Sequence, residues 1–222
     1  MDESETQLRA QVKAVAGDNV SVEKSQKSYI QWADTYDKDV LTNGYSSHIA
    51  VCKKLCDVVP PQKRSSTRVL DVGAGTGLVA RQLRENGFTN IDGLDPSQAM
   101  LDQAKNDKLY QQYIVDYITG SALDISANSY DAITGSGIFV ESAHVPNEAI
   151  IEMIRLVKPG GVIVLISRCN VLVTGGSHEK LEPLMNKLVN EKKWELVSRE
   201  TWEKYYMTSD AIVWCFRVSD VM

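Results

Sequence analysis

The segment Val69-Leu70-Asp71-Val72-Gly73-Ala74-Gly75-Thr76-Gly77 restricts this chain more than any other. An apolar β-type run ending in G-x-G-x-G turns sharply, and its missing Cβ atoms let a ligand approach the backbone. A helix predicted from Gly77 to about Asn86 aims free N–H groups and a partial positive charge at that turn. Asp95 then closes a second predicted strand, Asn90 to Leu94, where an acidic side chain can accept the hydroxyl hydrogens of a ribose. Together these features predict a nucleoside site.

The rest of the chain alternates in the same way. Ser97 is a good N-cap for a helix carrying Met100, Leu101 and Ala104. Tyr113 to Ile118 and Tyr130 to Thr134 read as the third and fourth strands. Ile150, Met153, Ile154 and Val157 form one helical stripe that Lys158-Pro159-Gly160-Gly161 ends, and Val162 to Ile166 reads as a strand covered on both faces. Repeated strand–helix alternation predicts a doubly wound, mostly parallel α/β sheet. The tail differs. After a helix with Leu184, Met185 and Leu188, Trp194–Trp202 and Ala211–Val218 are joined by too short a link for a crossover. They should pair antiparallel at the C-terminal edge. Upstream, Ile49, Cys52, Leu55, Cys56 and Val59 form a helix stopped by Pro60-Pro61, and Gln62 to Thr67 is a polar link. Residues 1–28 are charged and poor in large apolar groups, so they read as a mobile or loosely helical leader before a single domain over 29–222.

Composition narrows the partners. The chain has 222 residues and a formal charge of −5, so no cationic field draws in nucleic acid or anionic membrane. No run of apolar residues is long enough to span a bilayer, and the polar start MDESETQLRAQ is unlike a secretory signal, which predicts a cytoplasmic protein. Cys52, Cys56, Cys169 and Cys215 contain no C-x-x-C pair and read as buried reduced thiols. With only His48, His144 and His178 besides, no metal site is predicted.

Two nucleoside cofactors compete for the glycine turn. Val79 stands where a dinucleotide site continues with small residues, and Asp71 at the turn's mouth suits a cation. That favours S-adenosylmethionine, with its ammonium and sulfonium, over NAD. VLDVGAGTG, LDPSQAM, YDAITGSGIF and LVKPGGVIVLISR, in that order, resemble the successive motifs of class I S-adenosylmethionine-dependent methyltransferases. More narrowly, Tyr29-x-x-Trp32-Ala33-x-x-Tyr36-Asp37 and Phe139-x-x-x-x-His144-Val145-Pro146 resemble the methyltransferase-like proteins of the Williams–Beuren-region group.

The resemblance implies a Rossmann-like methyltransferase fold with a seven-stranded sheet, and S-adenosyl-L-homocysteine as the cofactor product. It implies that Gly73, Ala74, Gly75, Thr76 and Gly77 frame the methionine part of the cofactor while Asp71 orients the ammonium. Asp95 takes the ribose, and Pro96 and Ser97 lie on the adenine side. Ser121 stands where the family often has an acid, leaving the adenine contact to Ser121, Ala122 and Leu123. Thr134, Gly135 and Ser136 line the cavity beside the sulfonium. Trp32 and Tyr36 form a lid attracted to the sulfonium by their ring faces, or a hydrophobic staple.

Methyl transfer is an in-line displacement that needs alignment, and for a hydroxyl acceptor a base. His144 has a suitable pKa for that base, and Glu141 offers charge to a cationic acceptor. Phe139, His144, Arg168, Asn170, Tyr206 and Trp214 are candidates for the acceptor wall; Arg168 grips a carboxylate or phosphate, or forms a surface ion pair. The predicted acceptor is a small molecule with an N, O or S nucleophile. A protein side chain, or a catalytically silent cofactor-binding module, are the alternatives.

Overall fold

Val69, Leu70, Asp71 and Val72 are all buried, so β1 (Arg68–Val72) can only be an interior strand. The computed structural model describes residues 3–17, 20–140, 145–206 and 209–220. β1 pairs in parallel with β2 (Asn90–Leu94) on one side and β4 (Tyr130–Ser136) on the other. The crossovers α6 (Leu78–Glu85) and α7 (Gln98–Asn106) carry the chain outward to β3 (Tyr113–Ile114). It returns beyond β1 through β4, α8 (Ala149–Leu156) and β5 (Val157–Arg168), followed by α9 (Leu181–Asn190). With β6 (Trp194–Tyr206) and β7 (Ser209–Val218) the order is β3-β2-β1-β4-β5-β7-β6, so the winding reverses between β1 and β4. Ligands of such sheets bind outside the carboxyl ends of the strands at this reversal.

Successive strand residues serve opposite faces. Val69, Ile91, Val164 and Cys215 pack with Leu55 and Leu83 on one face, which α4 (Ser47–Val58) and α6 cover. Leu70, Ile133, Leu165 and Trp214 pack with Met153 and Met185 of α8 and α9 on the other.

The C-terminal strand β7 (Ser209–Val218) is antiparallel to β5 and to β6 (Trp194–Tyr206), inserted between them, so β6 forms the edge. Pairing runs further into the predicted link than expected, with Tyr206 opposite Ser209. β3 is shorter than Tyr113–Ile118: beyond Ile114 nothing pairs with the chain and Val115 is exposed. β5 is longer than Val162–Ile166, because Val157 already pairs with Tyr130 before a register shift accommodates the turn-forming Pro159-Gly160-Gly161.

Ahead of the sheet come α1 (Glu3–Ala16), α2 (Val22–Trp32), α3 (Tyr36–Thr42) and, after α4, the short α5 (Pro61–Arg64). α2 crosses the predicted boundary at residue 28 without a break. Leu8, Val15 and Ala16 are buried, and the Ser25 hydroxyl donates to the Val15 carbonyl at 2.7 Å. The signal was present but sparse: Leu8, Val12 and Val15 fall on one helical stripe. Among the described residues no helix is long and apolar enough to cross a membrane.

Candidate active site

The glycine turn is folded back onto the end of β2. Gly73 and Ala74 both donate their backbone N–H to the Leu94 carbonyl, at 2.8 and 3.1 Å. Gly73 and Gly75 have φ of +70° and +52°, and a Cβ on Gly73 would lie 2.3 Å from Ile138 Cγ2. Gly75 N–H donates to Asp95 Oδ2 at 2.9 Å and Ser97 N–H to Oδ1 at 2.8 Å. Each carboxylate oxygen keeps a further acceptor site. Burial pushes the Asp95 carboxyl up to about 6, against the pull of those two N–H bonds.

In front of this turn lies a cleft of about 120 Å³, floored by Gly73, Gly75, Asp95 and Pro96. Val15, Gln26 and Tyr29 of the first two helices roof it, and Gln26 Nε2 donates to the Tyr117 hydroxyl at 2.8 Å. Beside it a second chamber of about 70 Å³ is lined by Tyr29, Trp32, Tyr36, Tyr45, Tyr205 and Tyr206, with Arg168 as its one cation among the described residues. Tyr45 stands edge-on to Tyr205 at 5.5 Å and to Tyr206 at 6.0 Å. Burial raises the hydroxyl pKa of Tyr29, Tyr36 and Tyr205, so these groups hold their protons.

The cleft and the chamber share Tyr29, Tyr36 and Tyr45. Residues 70–165 match the family model described as a methyltransferase domain. Methyltransferase-like protein 27 of Homo sapiens is 33% identical over 189 residues, covering 85% of this chain and 75% of that protein. The chain belongs to that group of class I S-adenosylmethionine-dependent methyltransferases.

Solved structures agree on the fold. A chain of the complex between the Haloferax volcanii Trm112 methyltransferase activator and a candidate methyltransferase superposes with a TM-score of 0.64 at 17% identity, covering 86% of this chain and 97% of that one. A candidate S-adenosylmethionine-dependent methyltransferase from Listeria monocytogenes gives 0.57 at 14% identity, covering 76% and 98%.

Within this methyltransferase, several predicted site residues stand elsewhere. Asp71 does not face the cleft: Tyr110 donates to its Oδ2 at 2.7 Å and Thr134 to its Oδ1 at 2.9 Å, deep in the core. Burial raises its pKa to about 7 despite these two bonds. Thr134 is consumed by that network, and Gly135 is packed so that a Cβ would lie 2.8 Å from Leu165 and 2.9 Å from Ile138. Of that trio only Ser136 reaches the cleft. Ser97 is buried as the N-cap of α7. Trp32 lines the second chamber and not the cleft; its indole donates to Asp39 Oδ2 at 2.8 Å while its ring meets Tyr36 edge-on. Tyr36 borders both cavities.

Ser121, Ala122 and Leu123 lie past the short β3 and border no described cavity, the Leu123 N–H being bound to Glu152 Oε1 at 2.9 Å. Tyr117 occupies that side of the cleft instead, with Asp116 beside it in a small adjoining recess. Phe139 is core, edge-on to His178 at 5.1 Å. Trp214 points to the opposite face of the sheet and donates to Glu182 Oε1 at 2.9 Å. Asn170 is exposed on the turn Cys169–Val171. Alternation along β7 accounts for Trp214: Val213 and Cys215 serve one face and Trp214 the other.

Glu141 and His144 lie outside the described residues. The residues flanking them, Val140 and Val145, both border the cleft. His178, predicted only as a helix-start residue, lies 2.6 Å from Asn147 Oδ1 and 3.1 Å from the Val140 carbonyl, so it ties the two ends of that segment together. Tyr29, Tyr45 and Tyr205 were not predicted as site residues. Tyr29 alone carried a signal, three residues before Trp32 and seven before Tyr36 on one helical stripe. Among the described residues no His, Cys, Asp and Glu group can hold a metal ion.

Proposed function

We propose that this enzyme transfers the methyl group of S-adenosylmethionine to an N, O or S nucleophile of a small-molecule acceptor. The observation that carries the reading is Asp95, which lies half-buried at the cleft floor, tied to the glycine turn and left with free acceptor sites. Asp95 would accept the two ribose hydroxyl hydrogens. Gly73 and Gly75, with φ of +70° and +52°, would let the backbone of the turn approach the cofactor closely. Pro96 and Tyr117 would flank the adenine, taking the part that the resemblance implied for Ser121, Ala122 and Leu123. Asp71 would act at one remove, by holding Tyr110 and Thr134 beneath the turn. When bound, the cofactor supplies an electrophilic methyl on a sulfonium.

The aromatic chamber is the proposed acceptor site. Val12, Val15 and Ala16 of α1 wall it, which leaves room for a compact molecule and bars a polypeptide or duplex unless α1 moves. Tyr36 and Tyr45 border both cavities and would align the nucleophile; alignment of two reactants is worth roughly 7–11 kcal/mol. Arg168 at the chamber wall would favour an acceptor carrying negative charge. His144 and Glu141, between two cleft-lining residues, remain the proposed base and charge partner. Free thiols at Cys52 and Cys56, one helical turn apart, fit the reducing cytoplasm.

The test is a thermal-shift comparison of S-adenosylmethionine, S-adenosylhomocysteine and NAD, followed by a small-metabolite screen with methyl-labelled cofactor. Selective stabilisation by the first two and label in a small product support the reading. Stabilisation by NAD alone, or label only in protein, would overturn it.

A further inference from the structure

Near the end of β6 the pairing with β7 breaks step. Trp202 pairs with Ala211 and Tyr206 with Ser209, so Glu203, Lys204 and Tyr205 stand opposite Asp210 alone. Bulges of this kind re-aim side chains and collect beside active sites. Lys204 sits in the bulge with φ of +52°, a left-handed conformation that a lysine keeps only where its surroundings hold it. Two ties do so. Asp210 Oδ1 accepts the Lys204 N–H at 3.0 Å. Ser46, at the head of α4, donates its backbone N–H to the Tyr205 carbonyl at 3.0 Å, and its hydroxyl lies 3.3 Å from that carbonyl and 3.4 Å from that of Lys204. The same hydroxyl accepts from Trp202 Nε1 at 3.0 Å and makes no capping bond to α4. A serine in that place ordinarily caps its helix; this one is committed to the bulge.

The bulge decides which side chains face the aromatic chamber. Ala211, Val213 and Cys215 of β7 pack in the core under α4, and Trp202, opposite Ala211, packs against the same cluster. In an unbroken register the next pair on that face would set Lys204 against Ser209. An ammonium would then stand where Tyr206 stands. With the bulge, Lys204 is exposed instead. Tyr205 and Tyr206, neighbours that a plain strand would send to opposite faces, are both buried in that cluster and both line the chamber. Tyr45, which borders cleft and chamber alike, rests edge-on against both rings.

We propose that Asp210 is a positioning residue for methyl transfer: by capping the bulge at Lys204 it fixes Tyr205 and Tyr206 as a wall of the acceptor chamber. The proposal rests on the reading that this chamber takes the acceptor. Asp210 is exposed and borders neither cavity, so its effect passes through the two tyrosines and not through contact with cofactor or acceptor.

Three measurements on the whole chain carrying Asp210→Ala test this. They are calorimetric titration with S-adenosylhomocysteine, transfer of label from methyl-labelled S-adenosylmethionine into a small-metabolite extract, and nitration by tetranitromethane with the modified tyrosines located by peptide mass spectrometry. Affinity for S-adenosylhomocysteine should stay within about twofold while labelling slows about tenfold or more. Tyr205 and Tyr206, protected in the wild type, should be the sites where nitration rises. Asp210→Asn, which keeps an acceptor oxygen, should retain most of the rate. Adding Lys204→Gly to Asp210→Ala should recover part of it, because glycine takes a positive φ without strain. Ser46→Ala removes the hydroxyl of the second tie, should move the same readouts in the same direction, and serves if Asp210→Ala does not fold. Cofactor affinity lost in step with rate, or nitration and rate both unchanged, would overturn the positioning role. A wild type that binds S-adenosylhomocysteine yet labels nothing in the extract would overturn the small-molecule reading, and the nitration comparison then decides the bulge by itself.

Discussion

The Gly75 amide and the Asp95 carboxylate hold each other in place, N to Oδ2 at 2.9 Å, joining the turn after β1 to the end of β2. The carboxylate must be ionised to accept both this N–H and a ribose hydroxyl, and burial has raised its pKa to about 6. Affinity for S-adenosylhomocysteine should therefore fall about tenfold as pH drops from about 7.5 to about 5. Calorimetry on Asp95→Asn should give weaker, pH-independent binding, and Asp95→Ala should lose binding altogether. A wild-type affinity that is flat over this range would remove Asp95 from the contact.

Asp71 makes a prediction about the ligand-free protein. Its folded pKa of about 7 lies above the ordinary 3.8, so the folded state holds the proton more tightly than the unfolded chain. The corresponding stability is complete below about pH 4 and is lost as pH rises through about 7. The Tm of wild type minus that of Asp71→Asn should accordingly drop by roughly 5 °C or more across this window. Scanning fluorimetry at a series of pH values reads it; a constant difference would mean Asp71 does not titrate there.

The crowding at Gly73 can be measured against an open glycine. Gly73→Ala combines a left-handed backbone with a Cβ driven into Ile138, and should cost about 2–4 kcal/mol in denaturant unfolding. Gly175 has φ of +81° but nothing within 4 Å of its Cβ position, so Gly175→Ala should cost about 1 kcal/mol. Equal costs would show that backbone conformation, and not the Ile138 contact, governs the turn.

If His144 removes the acceptor proton, His144→Ala should lower kcat about 10²-fold while S-adenosylhomocysteine affinity stays within about twofold. Loss of affinity in step with rate would make it a binding residue.

Trp214 should behave as a core residue despite its place on a strand whose neighbours face the cleft side. Trp214→Phe removes its bond to Glu182 and should cost about 1–2 kcal/mol of stability. Cofactor affinity, read by calorimetry, should not change. A selective loss of turnover would restore Trp214 to the acceptor wall.

The parts of the site legible in the chain were those fixed by local backbone chemistry. The glycine turn, the acid closing β2 and the Ser97 cap each follow from a few consecutive residues, and all three fall as predicted. The misplaced residues depend on longer relations. Phe139 and Trp214 are aromatic residues close to the site in sequence, but strand pleat and helix packing turn them into the core. Ser121 follows, by resemblance, a third strand that ends four residues sooner than the pattern implied. The contribution of the first helices was hidden by their charge, because only a few apolar side chains anchor each one. Asp71 was read as open to a cation because nothing local announces that Tyr110, on a distant loop, reaches under the turn to it.

The two cavities share Val15, Tyr29, Tyr36, Tyr45, Gly137 and Val140 and differ in the rest of their linings. Residues 73–140 supply most of the floor of the cleft, whereas Val12 and Ala16 from the start and Tyr205 and Tyr206 from the end border the aromatic chamber and not the cleft. A lineage carrying this fold could therefore reshape the aromatic chamber through substitutions near its two extremities, while the glycine turn and Asp95 between them pass down untouched.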